Sequence, residues 1–197
     1  MSRVKSALSK MEGCLMQARG RTVAVLMPNH FNASLFRTIQ ECMVGAGGSV
    51  MIVGFKKNEP LTDSTRKEVL TIDIATDDLR LGDYDALVIL DSATPEEMIA
   101  SKENLGLISR SYEHQKIIGA VDRGVELLVA SLGSLLSGRR MTGPAESRID
   151  LESSGAIDVD EDVVVDELFI TAKTADSAER FCQILLDIFQ ARGGLAA

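Results

Sequence analysis

The chain has 197 residues, 45% of them hydrophobic and 25% charged, and it carries a formal net charge of −8 with a pI near 4.8. That length supports one sizeable core and is short for two. The acidic balance excludes nucleic acid and anionic membranes as partners, because those contacts need a basic face to neutralise phosphate. The three cysteines, Cys14, Cys42 and Cys182, fall at unrelated spacings with no CxxC pair. They read as small core hydrophobes in a reducing compartment, not as a disulfide framework or a zinc site. No apolar run approaches the roughly 20 residues that span a bilayer, and Lys5, Lys10 and Glu12 interrupt any signal-peptide region. The expectation is a cytoplasmic protein with no membrane partner and no cofactor.

Taken in order, Ser2 to Arg19 places Val4, Leu8, Met11 and Leu15 at helical spacing, which predicts an amphipathic helix. Residues 1–20 read as an appendage that packs on the domain or on a partner subunit, and residues 21–197 as a single α/β domain. Thr22 to Met27 is a near-continuous apolar strand, the pattern of a sheet covered on both faces. The loop Pro28-Asn29-His30-Phe31-Asn32 follows, then a helix from about Ala33 to Val44, a stop at Gly45, Gly47 and Gly48, and a strand from Ser49 to Phe55. This β-α-β unit predicts parallel strands and a right-handed crossover. Lys56 to Arg80 is polar, with an alternating piece, Leu70 to Ile74, that predicts a strand or an edge hairpin.

Asp85 to Leu90 is a core strand, and Asp91-Ser92-Ala93 is the loop after it. Thr94 as N-cap, Pro95 at the first helical position and Glu97 closing a capping box start the next helix. Another helix runs from about Asn104 to His114. Ile117 to Val121 then has the length of a buried parallel strand, and Gly124 opens a helical segment to Leu136. The chain therefore turns sharply at Asp122 and Arg123, in the shape of a nucleophile elbow. Such a turn holds one side chain above the sheet, beside backbone N–H groups that stabilise an anion. Met141-Thr142 predicts a short strand and Glu146 to Ser153 a short helix. Val163 to Val165 and Leu168 to Ile170 predict a hairpin turning at Asp166-Glu167. Asp176 with Glu179 caps a closing helix whose apolar stripe is Phe181, Ile184, Leu185, Ile188 and Phe189. Strands alternating with helices predict a three-layer α/β/α sandwich of flavodoxin-like type with a mostly parallel sheet.

The order of segments from Thr22 to about Arg192 resembles the ThiJ/PfpI superfamily, relatives of the class I glutamine amidotransferases. It is also similar to the catalytically silent C-terminal domain of large-subunit catalases. The resemblance rests on Val23 to Phe31, Asp83 to Leu90, the elbow Gly119 to Gly124, and Asp162 to Asp166 followed by Leu168 to Thr171. It implies a cysteine at the elbow tip, yet Asp122 stands there, with Arg123 in the place of the following histidine. It implies a glutamate in the loop after the first strand, yet Phe31 to Leu35 holds no acid. It implies Pro-Gly-Gly after the central strand, where this chain has Asp91-Ser92-Ala93. Three parts of one thiol mechanism are absent together.

Those departures define the expected function: a non-catalytic member of the family, binding a small molecule or acting as an interaction scaffold, and assembled as a homodimer or larger homo-oligomer. The pocket candidates are Asp122, Arg123, Asp91, Ser92, Asn32 and His30. The alternative is a hydrolase with Asp122 as nucleophile or base and His30 and Arg123 in support. His114, at the far end of its helix, is set aside. Asp122 also reads as a partner of Arg123 or a cap of the following helix. The acidic run Asp158 to Asp162 imitates the start of a calcium loop, but Val163 and Phe169 occupy the positions that need Gly and Glu, so no metal site is expected.

Overall fold

The computed structural model describes residues 17–90 and 95–193. Residues 1–16 of the predicted N-terminal helix and the loop residues Asp91, Ser92, Ala93 and Thr94 lie outside the described residues. Gln17 to Gly20, the first three of which were expected in that helix, instead form a turn whose Ala18 is buried and donates its N–H to Ala46 O at 3.0 Å. The chain opens with β1 (Thr22–Leu26), α1 (Ala33–Gly45), β2 (Ser49–Gly54), β3 (Pro60–Thr62), β4 (Val69–Thr71), β5 (Ile74–Ala75) and β6 (Ala86–Ile89). It continues with α2 (Pro95–Ile99), α3 (Lys102–Glu113), β7 (Ile117–Val121), α4 (Gly124–Leu132), β8 (Arg140–Met141) and α5 (Arg148–Ser153). The last elements are β9 (Ile157–Asp158), β10 (Val163–Asp166), β11 (Phe169–Ala172) and α6 (Ala178–Gly193).

Seven strands form one sheet in the order β10-β11-β7-β6-β1-β2-β5. All neighbours pair in parallel except β10 with β11. From β1 the chain moves outward through β2 to β5, then returns to add β6 on the other flank of β1. The strand order reverses between β1 and β6, and in open α/β sheets such a reversal opens a crevice at the carboxyl ends of the strands.

Two cores cover the two faces. Val23, Val25 and Val88 point into a cluster with Phe36 and Ile39 of α1 and Phe181 and Leu185 of α6. Ala24, Leu26 and Leu87 point the other way, toward Leu107 and Ile108 of α3 and Val125 and Leu128 of α4. The unbroken apolar run of β1 is thus a strand with both faces buried, and the three-layer sandwich with a mostly parallel sheet is as expected. Gly119, in the middle of β7, lies under α6: a Cβ there would strike the ring of Phe181.

Several expected boundaries move. Leu70 and Thr71 belong to β4, which pairs with β3 as an antiparallel hairpin, whereas Ile74 leaves it to join β2 as β5. The helix expected to reach Leu136 ends at Leu132, because Gly133 takes φ 49° and a 3₁₀ turn, Gly133–Leu136, follows. The helix expected from Glu146 starts at Arg148, after a 3₁₀ turn Ala145–Ser147. Met141 is the end of β8, not its start. The hairpin between β10 and β11 turns at Glu167-Leu168 instead of Asp166-Glu167: Asp166 pairs with Phe169, and Glu167 has φ 51°. Asp166 is drawn into the strand because its carboxylate accepts from Arg139 Nη1 at 3.1 Å and from the Arg140 N–H at 2.9 Å. Asp176 lies in a 3₁₀ turn, Ala175–Ser177, ahead of α6.

Candidate functional site

Strand β7 is buried along its whole length, and its carboxyl end runs into the elbow. Asp122 takes φ 55°, the left-handed region that side chains other than Gly, Asn and Asp rarely enter. Its N–H donates to Ala172 O at 2.9 Å, extending the β7–β11 ladder by one residue, and its own carbonyl accepts from the Val125 N–H at 3.3 Å. Gly124 completes the turn. A Cβ on it would meet Ile89 O at 2.8 Å, so only glycine lets the start of α4 pass this close to the end of β6.

The residue at the cap position of α4 is Arg123, which makes no side-chain cap bond. Its guanidinium instead forms a fork on Glu126, with Nε donating to Oε1 at 2.8 Å and Nη2 to Oε2 at 3.1 Å. Glu96 of α2 stands 3.7 Å from Nη2 on the other side. Glu126 is only 9% exposed, and its Oε1 also accepts from Ser147 Oγ at 2.8 Å. A buried carboxylate satisfied by a bidentate arginine and a hydroxyl is a rigid support, since paired and hydrogen-bonded charges tolerate burial. Asp122 and Arg123 are thus brought together on the elbow, both half-buried. Glu126, Glu96 and Ser147 were not among the sequence candidates. The i, i+3 spacing of Arg123 and Glu126 was the available signal.

The other candidates stand apart. His30 is exposed with φ 60°, and its N–H donates to Thr62 O at 2.8 Å, while Asn29 Oδ1 accepts from the Thr62 N–H at 3.0 Å. These bonds tie the loop after β1 to the β3–β4 hairpin. Strand β6 lies between β1 and β7, so the two strand ends are about 10 Å apart at the usual spacing. Asn32 is the N-cap of α1, its Oδ1 accepting from the Leu35 N–H at 3.1 Å. It faces a hollow of about 300 Å³ lined also by Ser34, Arg37, Asp63, Thr65 and Lys67. Asp63, 2% exposed, accepts from the N–H groups of Lys67 and Glu68, both at 2.7 Å, and from Thr65. The Thr65 hydroxyl, more than any other group, holds the Asp63 carboxyl below its ordinary value. Asp91 and Ser92 lie outside the described residues.

Among the described residues, no group of three or more His, Cys, Asp or Glu side chains is placed to hold a metal ion. The acidic run is spent on ion pairs: Asp158 with Arg148, Asp160 with Lys173 and Glu161 with Arg140. His114 caps α3 and its Nδ1 lies 3.0 Å from Arg110 O. Cys42 and Cys182 lie on α1 and α6, not at a strand end; Cys14 is outside the described residues. No described helix is long and apolar enough to cross a membrane.

A mostly parallel sheet covered by helices on both faces, with a sharp strand-to-helix turn at the carboxyl end of β7, defines the flavodoxin-like α/β class. The DJ-1/PfpI family pattern matches residues 21–188, and the chain belongs to that family. General stress protein 18 of Bacillus subtilis is 26% identical over 163 residues, covering 82% of this chain and 94% of that protein. A ThiJ/PfpI domain protein of Brachyspira murdochii superposes with a TM-score of 0.80 at 16% identity, over 88% of this chain and 98% of that one. A two-domain protein of Anabaena variabilis, with DJ-1/ThiJ/PfpI-like and ferritin-like domains, gives 0.79 at 24% identity over 85% of this chain. The chain spans about half of that protein, 47% of its length.

Proposed function

We propose that this chain is a DJ-1/PfpI-family protein without thiol catalysis, which uses the crevice at the elbow to bind a small molecule. The observation that carries the reading is Asp122, held at φ 55° on the strand-to-helix turn where the resemblance calls for a cysteine. A thiolate is the nucleophile that chemistry needs, and a carboxylate at the tip removes it. What remains is a preorganised polar surface: Arg123, fixed by the buried Glu126, beside Asp122. With Asp122, Glu126 and Glu96 set against one arginine, the surface suits a ligand that presents hydroxyl or amino groups better than one that presents a phosphate.

The test is a thermal-shift screen of the full chain against polyols, amines and anionic metabolites, repeated on Asp122→Asn and Arg123→Ala. A ligand at a hundred times its dissociation constant stabilises a fold by about 2.7 kcal/mol. A polyol or amine that shifts the wild type and not the variants supports the reading. Silence across the library overturns it in favour of a scaffold whose ligands are proteins. Self-association is part of the proposal, drawn from the resemblance and from the apolar spacing of Val4, Leu8, Met11 and Leu15. A light-scattering mass of 21.3 kDa, one chain, well above micromolar concentration would remove it.

The same strained turn also favours the hydrolase reading, because backbone strain gathers at functional sites. That reading needs His30 to reach a water beside Asp122 across the width of β6. A hydrolytic activity present in the wild type and absent from Asp122→Asn would make it the better account.

A further inference from the structure

Two of the three cysteines meet where α1 packs on α6. Cys182 is 2% exposed, and its Sγ lies 3.9 Å from the main-chain oxygen of Thr38. Thr38 stands one turn before Cys42, and in an α-helix its carbonyl accepts from the Cys42 N–H. Cys182 therefore sits against the turn of α1 that carries Cys42. The two thiols interact: the hydrogen bond from Cys182 holds the Cys42 thiol below its ordinary value against the opposing effect of burial. The same bond, with burial and the neighbouring Glu179, pushes the Cys182 thiol up. Cys42 is half-buried, whereas Cys182 is covered. One thiol is thus half-buried with its thiolate favoured, and the other is covered beside it.

We propose that Cys42 and Cys182 are a peroxide-reactive dithiol pair that closes to a disulfide joining α1 to α6. It is separate from the elbow and goes beyond the binding function proposed for it. In the first step the Cys42 thiolate attacks one oxygen of hydrogen peroxide. The O–O bond breaks, hydroxide leaves, and Cys42 becomes a sulfenic acid, its sulfur oxidised by two electrons. In the second step Cys182 loses its proton and attacks the Cys42 sulfur. The S–O bond breaks, the departing hydroxide takes up a proton as water, and the S–S bond forms. Two thiols and one peroxide give one disulfide and two waters, and an added dithiol such as dithiothreitol reverses the change by exchange.

The experiment treats the full-length chain carrying Cys14→Ser with a small excess of hydrogen peroxide and reads intact mass and a non-reduced digest. The expected result is the loss of two hydrogens per chain, a cross-linked peptide holding Cys42 and Cys182, and recovery of the starting mass with dithiothreitol. On the same background, Cys182→Ser should leave Cys42 as a sulfenic acid that dimedone traps. A chain that keeps its mass, or one that gains oxygen at Cys42 without any Cys42–Cys182 peptide, overturns the proposal. The digest needs no substitution at either thiol, so a poorly folded Cys182→Ser protein does not blunt the test.

Discussion

Asp122 and Gly124 shape the same turn by different means. Asp122 accepts a left-handed backbone, and Gly124 removes the atom that would strike the end of β6. Because the atom in the way at Gly124 is a backbone oxygen, it cannot swing aside. Gly124→Ala is expected to destabilise the fold by about 1–3 kcal/mol, read as a lower midpoint in urea with an unchanged slope. The identity of the elbow tip was legible in the sequence, since an apolar strand running into Asp-Arg-Gly leaves few other shapes. Glu126 was not, because its burial depends on Ser147, 21 residues further on, and no local pattern announces that partner. Asn32 was legible as a polar loop residue, but its work as a cap shows only once α1 is placed.

Asp63 offers a residue-scale test in pH. Its carboxyl sits below its ordinary value in the folded protein, so its contribution to stability is present above the unfolded value near 4 and is lost as pH falls through the lowered folded value. Asp63→Ala should therefore be less stable than wild type at pH 7. The gap should narrow in melts taken progressively below about pH 4. A gap that held constant to pH 2 would assign the effect to packing alone.

Among elements, the join between α2, α3 and the segment after β5 rests on Asn104, which is 1% exposed. Its amide donates to Met98 O at 3.2 Å and its carbonyl accepts from Thr76 Oγ1 at 3.1 Å, while its N–H is capped by Ser101 Oγ at 3.1 Å. Asn104→Ala leaves Met98 O without this donor and is expected to cost about 1–3 kcal/mol. Amide exchange in α2 should quicken more than in α6. The sequence named the helices here but not the bond between them, because hydrophobic spacing reports a face and not its polar stitching. The β3–β4 hairpin shows the same limit: alternation marked Leu70 and Thr71 of β4, but the three residues of its partner β3 carry no pattern that separates them from a loop. The break at Gly133 was readable in principle, yet the apolar spacing that runs on to Leu136 concealed it.

For the whole molecule, the arrangement in layers followed directly from alternation of apolar strands and amphipathic helices, and β1 pairs with β2 in parallel as the β-α-β reading expected. What stayed hidden was which helix closes which face. Helix α6 packs on the same face as α1, with Phe181, Leu185 and Phe189 all buried and Phe181 seated on Gly119. A chain ending at Thr174 would leave the part of that face beneath α6 open to water. It is expected to show no cooperative unfolding transition by circular dichroism, where the full chain shows one.

The margins of the sheet have a further consequence. On one side it ends in β5, two residues long, and on the other in β10, four residues long, whose Asp166 is gripped by Arg139 and Arg140. Neither margin offers the long, flat, apolar backbone ladder that templates the addition of a foreign strand. The main sheet is thereby a poor template for fibril growth by strand stacking.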